Sequence, residues 1–282
     1  MSAPAVTFVI PIRHPDGVAD RDEQRRTLAQ TVASVCAQRG RSWRLRIACN
    51  RGQTLPPLPR GVEVVELDLP SNAEALSRAE TREAMLDVFK RDKARRVLAA
   101  LGDLGPRDRF MIVDDDDLVS CRLARFFERA DPAQAFHVDA GWSWIEGHPA
   151  LRRLDDFHRC CGTSLAAPWG HWRAFQAPQD DAALCELGCH WTLFDRLAGT
   201  AQAFRALPFR AAVYRLGHAN SMEGLMARFG ESRAFMRRRI VPGGRRLTRL
   251  RRRLDHYSQF RPIFPLLRRE FFGAGALRRG AA

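Results

Sequence analysis

Four consecutive aspartates, Asp114 to Asp117, follow directly on the apolar run Phe110-Met-Ile-Val113. A short apolar run bounded by charge reads as a strand covered on both faces. The four carboxylates at its end repel one another, so the arrangement is tolerable only where cations converge on them. Open α/β sheets provide such a place, because their ligand crevices lie at the carboxyl ends of the strands. The preceding residues agree. Val6-Thr-Phe-Val-Ile10, stopped by Pro11, reads as a buried strand; Leu28, Val32 and Val35 give helical spacing within Asp22 to Gln38; Trp43 to Cys49 and Val62 to Leu67 read as further strands. Asn72 to Leu101 carries helical spacing through Leu76, Ala79, Leu86 and Phe89. Strands joined by helical crossovers predict a mostly parallel sheet with helices on both faces.

Beyond Asp117 the pieces shorten. A helix near Arg122 to Arg129, a Trp-rich strand over Val138 to Ile145, a helix from Asp181 to Leu197 and a strand over Ala211 to Leu216 predict a mixed α+β half. Ser221 to Arg239 reads as a helix, and the rest as a separable basic helical tail interrupted at Gly243-Gly244, Pro262 and Pro265. Charge follows this division. Of the net +14, the stretch Arg233 to Arg279 holds 15 Arg against Asp255 and Glu270, a balance of +13, while residues 1–232 hold 31 bases and 30 acids. Lys90 and Lys93 are the only lysines, so part of the Arg excess is compositional.

With 45% apolar residues the chain has enough nonpolar surface for a sizeable core, which excludes a disordered or fibrous class. No run approaches the roughly 20 apolar residues of a bilayer span, and Met1-Ser-Ala-Pro4 does not open a basic-then-apolar leader. The expected location is the cytoplasm, at the inner face of the membrane where the tail meets lipid. The seven cysteines, odd in number and without a CxxC pair, read as reduced and mostly buried thiols. A zinc site drawn from Cys160, Cys161, Cys185, Cys189 and His190 has no regular ligand spacing.

Hard carboxylate oxygens favour Mg²⁺ or Mn²⁺, which commonly bridge to substrate phosphates, so the quartet predicts a metal-diphosphate site. A helix cap near Ser120 would use one acid and leave three solvated. A strand followed by Asp-x-Asp also opens phosphatases and phosphotransferases of the haloacid-dehalogenase type, although here the motif lies mid-chain and continues Asp117-Leu118-Val119. The Arg-rich tail, with Tyr257, Phe260, Phe264, Phe271 and Phe272 interleaved, fits a nucleic-acid binder or an anionic lipid surface. We take the lipid surface, and no nucleic acid, as the expectation.

Several landmarks then fall in order. Val6-Thr-Phe-Val-Ile-Pro-Ile-Arg13 resembles the first strand of GT-A glycosyltransferases of the family-2 type, which read apolar strand, Pro, then polar residues touching the nucleotide. Asp114-Asp-Asp-Asp-Leu118 is similar to their Asp-x-Asp-Asp metal motif, and Lys93-Ala-Arg95 stands where they carry a basic Ala-Arg stretch. Gly188-Cys-His-Trp-Thr-Leu-Phe-Asp-Arg-Leu197, Leu207-Pro-Phe and Val213-Tyr-Arg-Leu-Gly-His218 resemble their acceptor-site helix, Leu-Pro step and Tyr-Arg-x-x-His strand end. The resemblance spans about residues 5 to 220.

It implies a GT-A domain over 1–220, with a nucleotide-sugar half (1–120) and an acceptor half (121–220), followed by a basic extension (221–282). It implies a nucleotide-sugar donor, a UDP-sugar among the candidates, and a glycan or lipid-linked glycan acceptor. The implied metal ligands are Asp114, Asp116 and His218, holding Mn²⁺ or Mg²⁺. Pro11, Arg13 and Asn50 would line the base pocket, while Lys93, Arg95 and Asp115 would serve the diphosphate side. Where the family places an acid after the second strand this chain has Cys49-Asn50, and where it places Glu-Asp before the acceptor helix this chain has Cys189-His190. His190 is the first choice of catalytic base, since imidazole accepts a proton near neutral pH. Asp180 and Asp181 are the carboxylate alternatives, with helix capping as their plainer role. Trp142 and Trp144 share one strand face, for stacking on a sugar or for core packing, and Gly162-Thr163-Ser164 offers hydroxyls at a loop.

Overall fold

A computed structural model describes residues 4–175, 180–200, 203–221 and 258–272. The helix expected after Ser221 and most of the basic tail lie outside these residues.

The first half alternates as its apolar runs predict: β1 (Val6–Pro11), α1 (Arg21–Cys36), β2 (Trp43–Asn50), β3 (Val62–Leu67), α2 (Ala73–Arg78), α3 (Arg82–Leu101) and β4 (Arg109–Ile112). Side chains alternate across a strand, so β1 feeds two cores. Phe8 and Ile10 pack with Leu28, Val32 and Val35 of α1, whereas Val9 packs on the other face with Ala94, Val97 and Leu101 of α3. Both helices start at side-chain caps: Asp20 accepts from the Glu23 N–H at 2.9 Å, and Thr81 from the Ala84 N–H at 3.1 Å. The β2–β3 connection carries no helix; Pro56, Pro57 and Pro59 lie in an irregular stretch between turns at 51–52 and 60–61. The helix expected over Asn72 to Leu101 is broken at 79–81, where Thr81 caps the second piece.

The chain continues through β5 (Leu118–Val119), α4 (Leu123–Phe127), β6 (Phe136–His137), β7 (Gly141–Ile145), β8 (Ala150–Leu154), a single turn at Phe157–Arg159, β9 (Leu165–Pro168), α5 (Asp181–Leu187), α6 (His190–Leu197), β10 (Arg205–Ala206), β11 (Ala212–Leu216) and β12 (Phe260–Pro262). Among the described residues one sheet has the order β10-β6-β9-β4-β1-β2-β3 and the other β12-β8-β7-β11-β5. In the first, only β9 runs against its neighbours. This is an α/β architecture with a parallel-rich central sheet, as the sequence predicts.

Two expected elements are altered by the fold. Of the strand expected over Val138 to Ile145, residues 141–145 form β7, while 138–140 carry the chain from β6 in the first sheet to β7 in the second. The helix from Asp181 to Leu197 becomes α5 and α6, turning at Gly188, where a Cβ would lie 2.1 Å from the Lys90 carbonyl oxygen. Only glycine lets this corner approach α3 so closely.

Trp142 and Trp144 are core residues. They pack with Leu118, Val213, Phe271 and Phe272, and Trp144 meets Phe272 edge-on at 5.1 Å. The described part of the tail therefore docks: β12 pairs antiparallel with β8, and the Glu270 carbonyl accepts from the Cys121 N–H at 2.9 Å. Phe272, 1% exposed, is expected to anchor this segment. Phe272→Ala should lower unfolding stability by about 3–5 kcal/mol in urea titrations, whereas a loss under about 1 kcal/mol would mean residues 258–272 are peripheral.

Candidate functional site

β4 delivers the aspartates to the end of the sheet. Val113 N–H still donates to Val9, and then a turn closed by the Asp117 N–H on the Asp114 carbonyl (3.1 Å) sends the four side chains in different directions. Each meets a different partner. Lys93 Nζ of α3 donates to Asp114. Asp115, 5% exposed, accepts from Gln24 Nε2 at 3.1 Å and lies 3.8 Å from Arg13. Asp116 lies 3.1 Å from His218 Nε2, just past β11, and 3.9 Å from Arg13. Asp117, fully buried, accepts from Thr163 Oγ1 (2.6 Å), Cys161 Sγ (2.9 Å) and the Arg215 N–H (3.2 Å).

These environments separate Asp115, Asp116 and Asp117 chemically. Burial, reinforced by the Asp116 and Asp114 charges, pushes the Asp117 carboxyl well above the usual range. Burial likewise raises Asp115 against the pull of Arg13. For Asp116 burial acts in the same sense, but His218 and Arg13 overcome it and hold the group low. Arg215, with its guanidinium fully buried over the Trp144 ring at 5.3 Å and making no hydrogen bond, adds positive field behind Asp116 and Asp117.

The loop at Gly162-Thr163 closes the site. Thr163 Oγ1 accepts from the Asp114 N–H at 2.9 Å while donating to Asp117. A Cβ on Gly162 would fall 2.4 Å from Asp114 Oδ2 and 2.5 Å from Lys93 Nζ, so the missing side chain leaves room for the ion pair. On the far side of Lys93 a cavity of about 10 Å³, lined by Gly162, Trp172, Leu193 and His190, has room for about one water. His190 Nε2 is buried there without a partner. Burial, then the Lys93 charge, push the imidazole down to about 3, so the ring is neutral and weakly basic in the free protein.

The fold thus brings Arg13, Lys93, Asp114, Asp115, Asp116, His190 and His218 into one connected constellation beside buried Pro11. Other expected residues are engaged elsewhere. The Asn50 amide donates to the Leu69 carbonyl at 2.7 Å and accepts from buried Arg96 at 2.7 Å, so its hydrogen bonds go to the scaffold. Arg95 pairs with Asp181 at 3.4 Å on the exposed face where α3 meets α5, and Arg91 joins them at 3.5 Å. Asp180 caps α5 by accepting from the Ala183 N–H. Sequence reading missed Gln24 and Thr31, whose hydroxyl donates to the Asp115 carbonyl at 3.2 Å. The signal was a polar stripe, Gln24, Thr27, Thr31 and Ser34, at helical spacing on α1 and wholly buried.

Asp116 Oδ2 and His218 Nε2 present two ligand atoms 3.1 Å apart, and His218 Nδ1 lies 3.6 Å from Glu23. Of the three expected metal ligands, the structure brings Asp116 and His218 together, while Asp114 is paired with Lys93 and does not complete a three-ligand group within 4.8 Å among the described residues.

No protein-family model matches the chain, and no curated protein matches it. Among solved structures, the crystal structure of 4-diphosphocytidyl-2C-methyl-D-erythritol synthase is similar to this chain with 14% identity and a TM-score of 0.32, over 81% of this chain and 98% of that one. The chemistry of the site is read from this chain's own residues.

A neutral buried His190 links stability to pH. Its folded-state value of about 3 lies below the ordinary 6.5, so between these limits the unfolded chain binds the extra proton and stability falls as pH falls. His190→Gln should make that loss shallower, by on the order of 1 kcal/mol between pH 7 and 5, in urea midpoints measured across the range. An unchanged slope would show that the ring titrates normally.

Proposed function

We propose that the chain transfers a sugar from a nucleotide-sugar donor to a hydroxyl acceptor. The observation that carries this reading is the contact between Asp116 and His218, which unites the strand-end acid motif with a strand-end histidine a hundred residues later, with Arg13 and Lys93 alongside. The pairs Lys93–Asp114 and Arg13–Asp115 hold the two kinds of group that a donor diphosphate and a Mg²⁺ or Mn²⁺ ion divide between them. The cations would serve the phosphates, while Asp116 and His218, joined by Asp114 once it is released from Lys93, would hold the ion. When bound, the ion supplies charge neutralisation for the departing nucleoside diphosphate.

The chain's own groups account for the remainder of the scheme. Arg13 and Lys93 orient the diphosphate and offset its charge, and Thr163 fixes the Asp114 backbone so that Lys93 has one position. A diphosphate on Lys93 offsets the charge that depresses His190, raising the basicity of an imidazole whose Nε2 is already unpartnered. His190 then accepts the proton of an acceptor hydroxyl attacking opposite the leaving group, with inversion. Exposed Asp181, engaged by Arg91 and Arg95, is left outside this scheme. The acceptor we assign is a glycan or lipid-linked glycan, with the Arg-rich tail supplying affinity for an anionic membrane surface at about 1 kcal/mol per basic residue.

Nucleotide-sugars should raise the melting temperature only when Mn²⁺ or Mg²⁺ is present. Asp116→Asn should cut transfer at least about 100-fold while the protein stays folded by circular dichroism, and His190→Gln should cut kcat about 100-fold with little change in donor binding. Near-normal transfer by Asp116→Asn, or metal-dependent release of phosphate from simple aryl phosphates without nucleotide-sugar turnover, would sink the assignment.

A further inference from the structure

A second cluster of titratable side chains lies apart from the aspartates, at the seam between the two sheets. His137 ends β6, Asp139 lies in the turn leading to β7, and His158 occupies the turn at 157–159. His137 Nε2 and His158 Nδ1 each lie 3.8 Å from the same carboxylate oxygen, Asp139 Oδ1. Among the described residues this is the group that brings three metal-ligating atoms within 4.8 Å of one another.

The local backbone is built to hold it. The Phe157 N–H donates to the Asp139 carbonyl at 2.9 Å. Gly141 admits the Phe157 ring, which a Cβ would strike at 2.1 Å. Asp156 takes a left-handed φ of 51°, an uncommon conformation for a residue with a side chain, and so turns His158 inward. Phe194 of α6 then lies against both imidazoles, at 4.9 Å and 4.2 Å between ring centroids.

The imidazoles are more than nine-tenths buried, at 8% and 6% exposure, yet His158 Nδ1, the atom facing Asp139, has no hydrogen-bond partner. A buried ring nitrogen left empty beside a carboxylate is costly unless something occupies the space between. Asp139, with its side chain 47% exposed, leaves an entry from solvent.

We propose that His137, Asp139 and His158 bind a divalent transition-metal ion of the Zn²⁺ class, distinct from the Mg²⁺ or Mn²⁺ assigned to the aspartates. Two imidazoles and one carboxylate suit a borderline cation better than Mg²⁺ or Ca²⁺. Tetrahedral ligands about 2.0–2.1 Å from zinc lie roughly 3.3 Å apart, so closing the 3.8 Å gaps takes about half an ångström of movement. The ion would tie β6, the turn before β7 and the 157–159 turn into one unit. Through Phe194 it would steady the helix that begins at His190. This assignment is independent of the glycosyl-transfer reading.

The test uses the full-length protein stripped with a chelator, then titrated with Zn²⁺ or Co²⁺. At 100-fold excess over its Kd, Zn²⁺ should raise the melting temperature by roughly 5–10 °C. Co²⁺ should give visible d–d absorption of a nitrogen-ligated site. Asp139→Asn and His158→Gln should each weaken uptake at least about 10-fold and abolish that absorption, while Asp116→Asn leaves both intact. Should His158→Gln fail to fold, Asp139→Asn at its half-exposed position decides the matter alone. No thermal shift and no visible absorption in the unaltered protein, or equal uptake in Asp139→Asn, would show instead a stacked pair of core histidines.

Discussion

Compensation of four adjacent carboxylates at the end of β4 is the constraint on which the surrounding structure depends. Consecutive aspartates cannot all ionise in a partly buried loop without counter-charge, and here the counter-charge comes from three separate segments, Arg13 after β1, Lys93 on α3 and Arg215 in β11, with the His218 ring 3.1 Å from Asp116. Each cation is itself poorly solvated, so its field is little screened. The carboxylates therefore hold distant parts of the chain in register as much as those parts hold the carboxylates. Deep burial of Asp117 shows the scaffolding side of this relation, since its oxygens take hydrogen bonds from the Gly162-Thr163 loop and from the backbone of β11, and so join the two sheets.

On the proposed reading the same electrostatics would give the site two settings. In the free protein the cations and acids are paired, and His190 is kept neutral by burial and by Lys93. An anionic ligand on Lys93 would loosen the pair with Asp114 and remove the main charge opposing protonation of His190. On the proposed reading, ligand binding and base strength would be coupled through that single ammonium group, because Lys93 both pairs with Asp114 and lines the histidine cavity.

Much of the fold was legible in the residues. The strands over Val6–Pro11, Trp43–Asn50 and Val62–Leu67 and the helix α1 follow from apolar spacing alone, because burial against a core enforces periodicity. Breaks within long patterns were not legible. Gly188 looks tolerable inside a helix until α3 is seen pressing on it, and the Trp-rich strand looks longer than it is until residues 138–140 are seen crossing between the sheets. Trp142 and Trp144 share a face, as alternation requires, but that face turns toward Phe271 and Phe272 from the end of the chain, a contact across more than a hundred residues.

The site divides along the same line. The sequence alone determined that an acid cluster sits at a strand end and that α1 precedes it, because these depend on local order and on the behaviour of strand termini in α/β sheets, whereas Lys93 and His218 entered only as what the family resemblance implies and Arg13 was expected at the base pocket. Tertiary structure decided which atoms were spent: Asn50 on Arg96 and Leu69, Asp181 on Arg91 and Arg95, Asp117 on Thr163 and Cys161. It also brought His137, Asp139 and His158 together, a grouping no spacing announced. Hydrogen bonds and ion pairs act over a few ångströms, and only the folded chain sets which residues come within that reach.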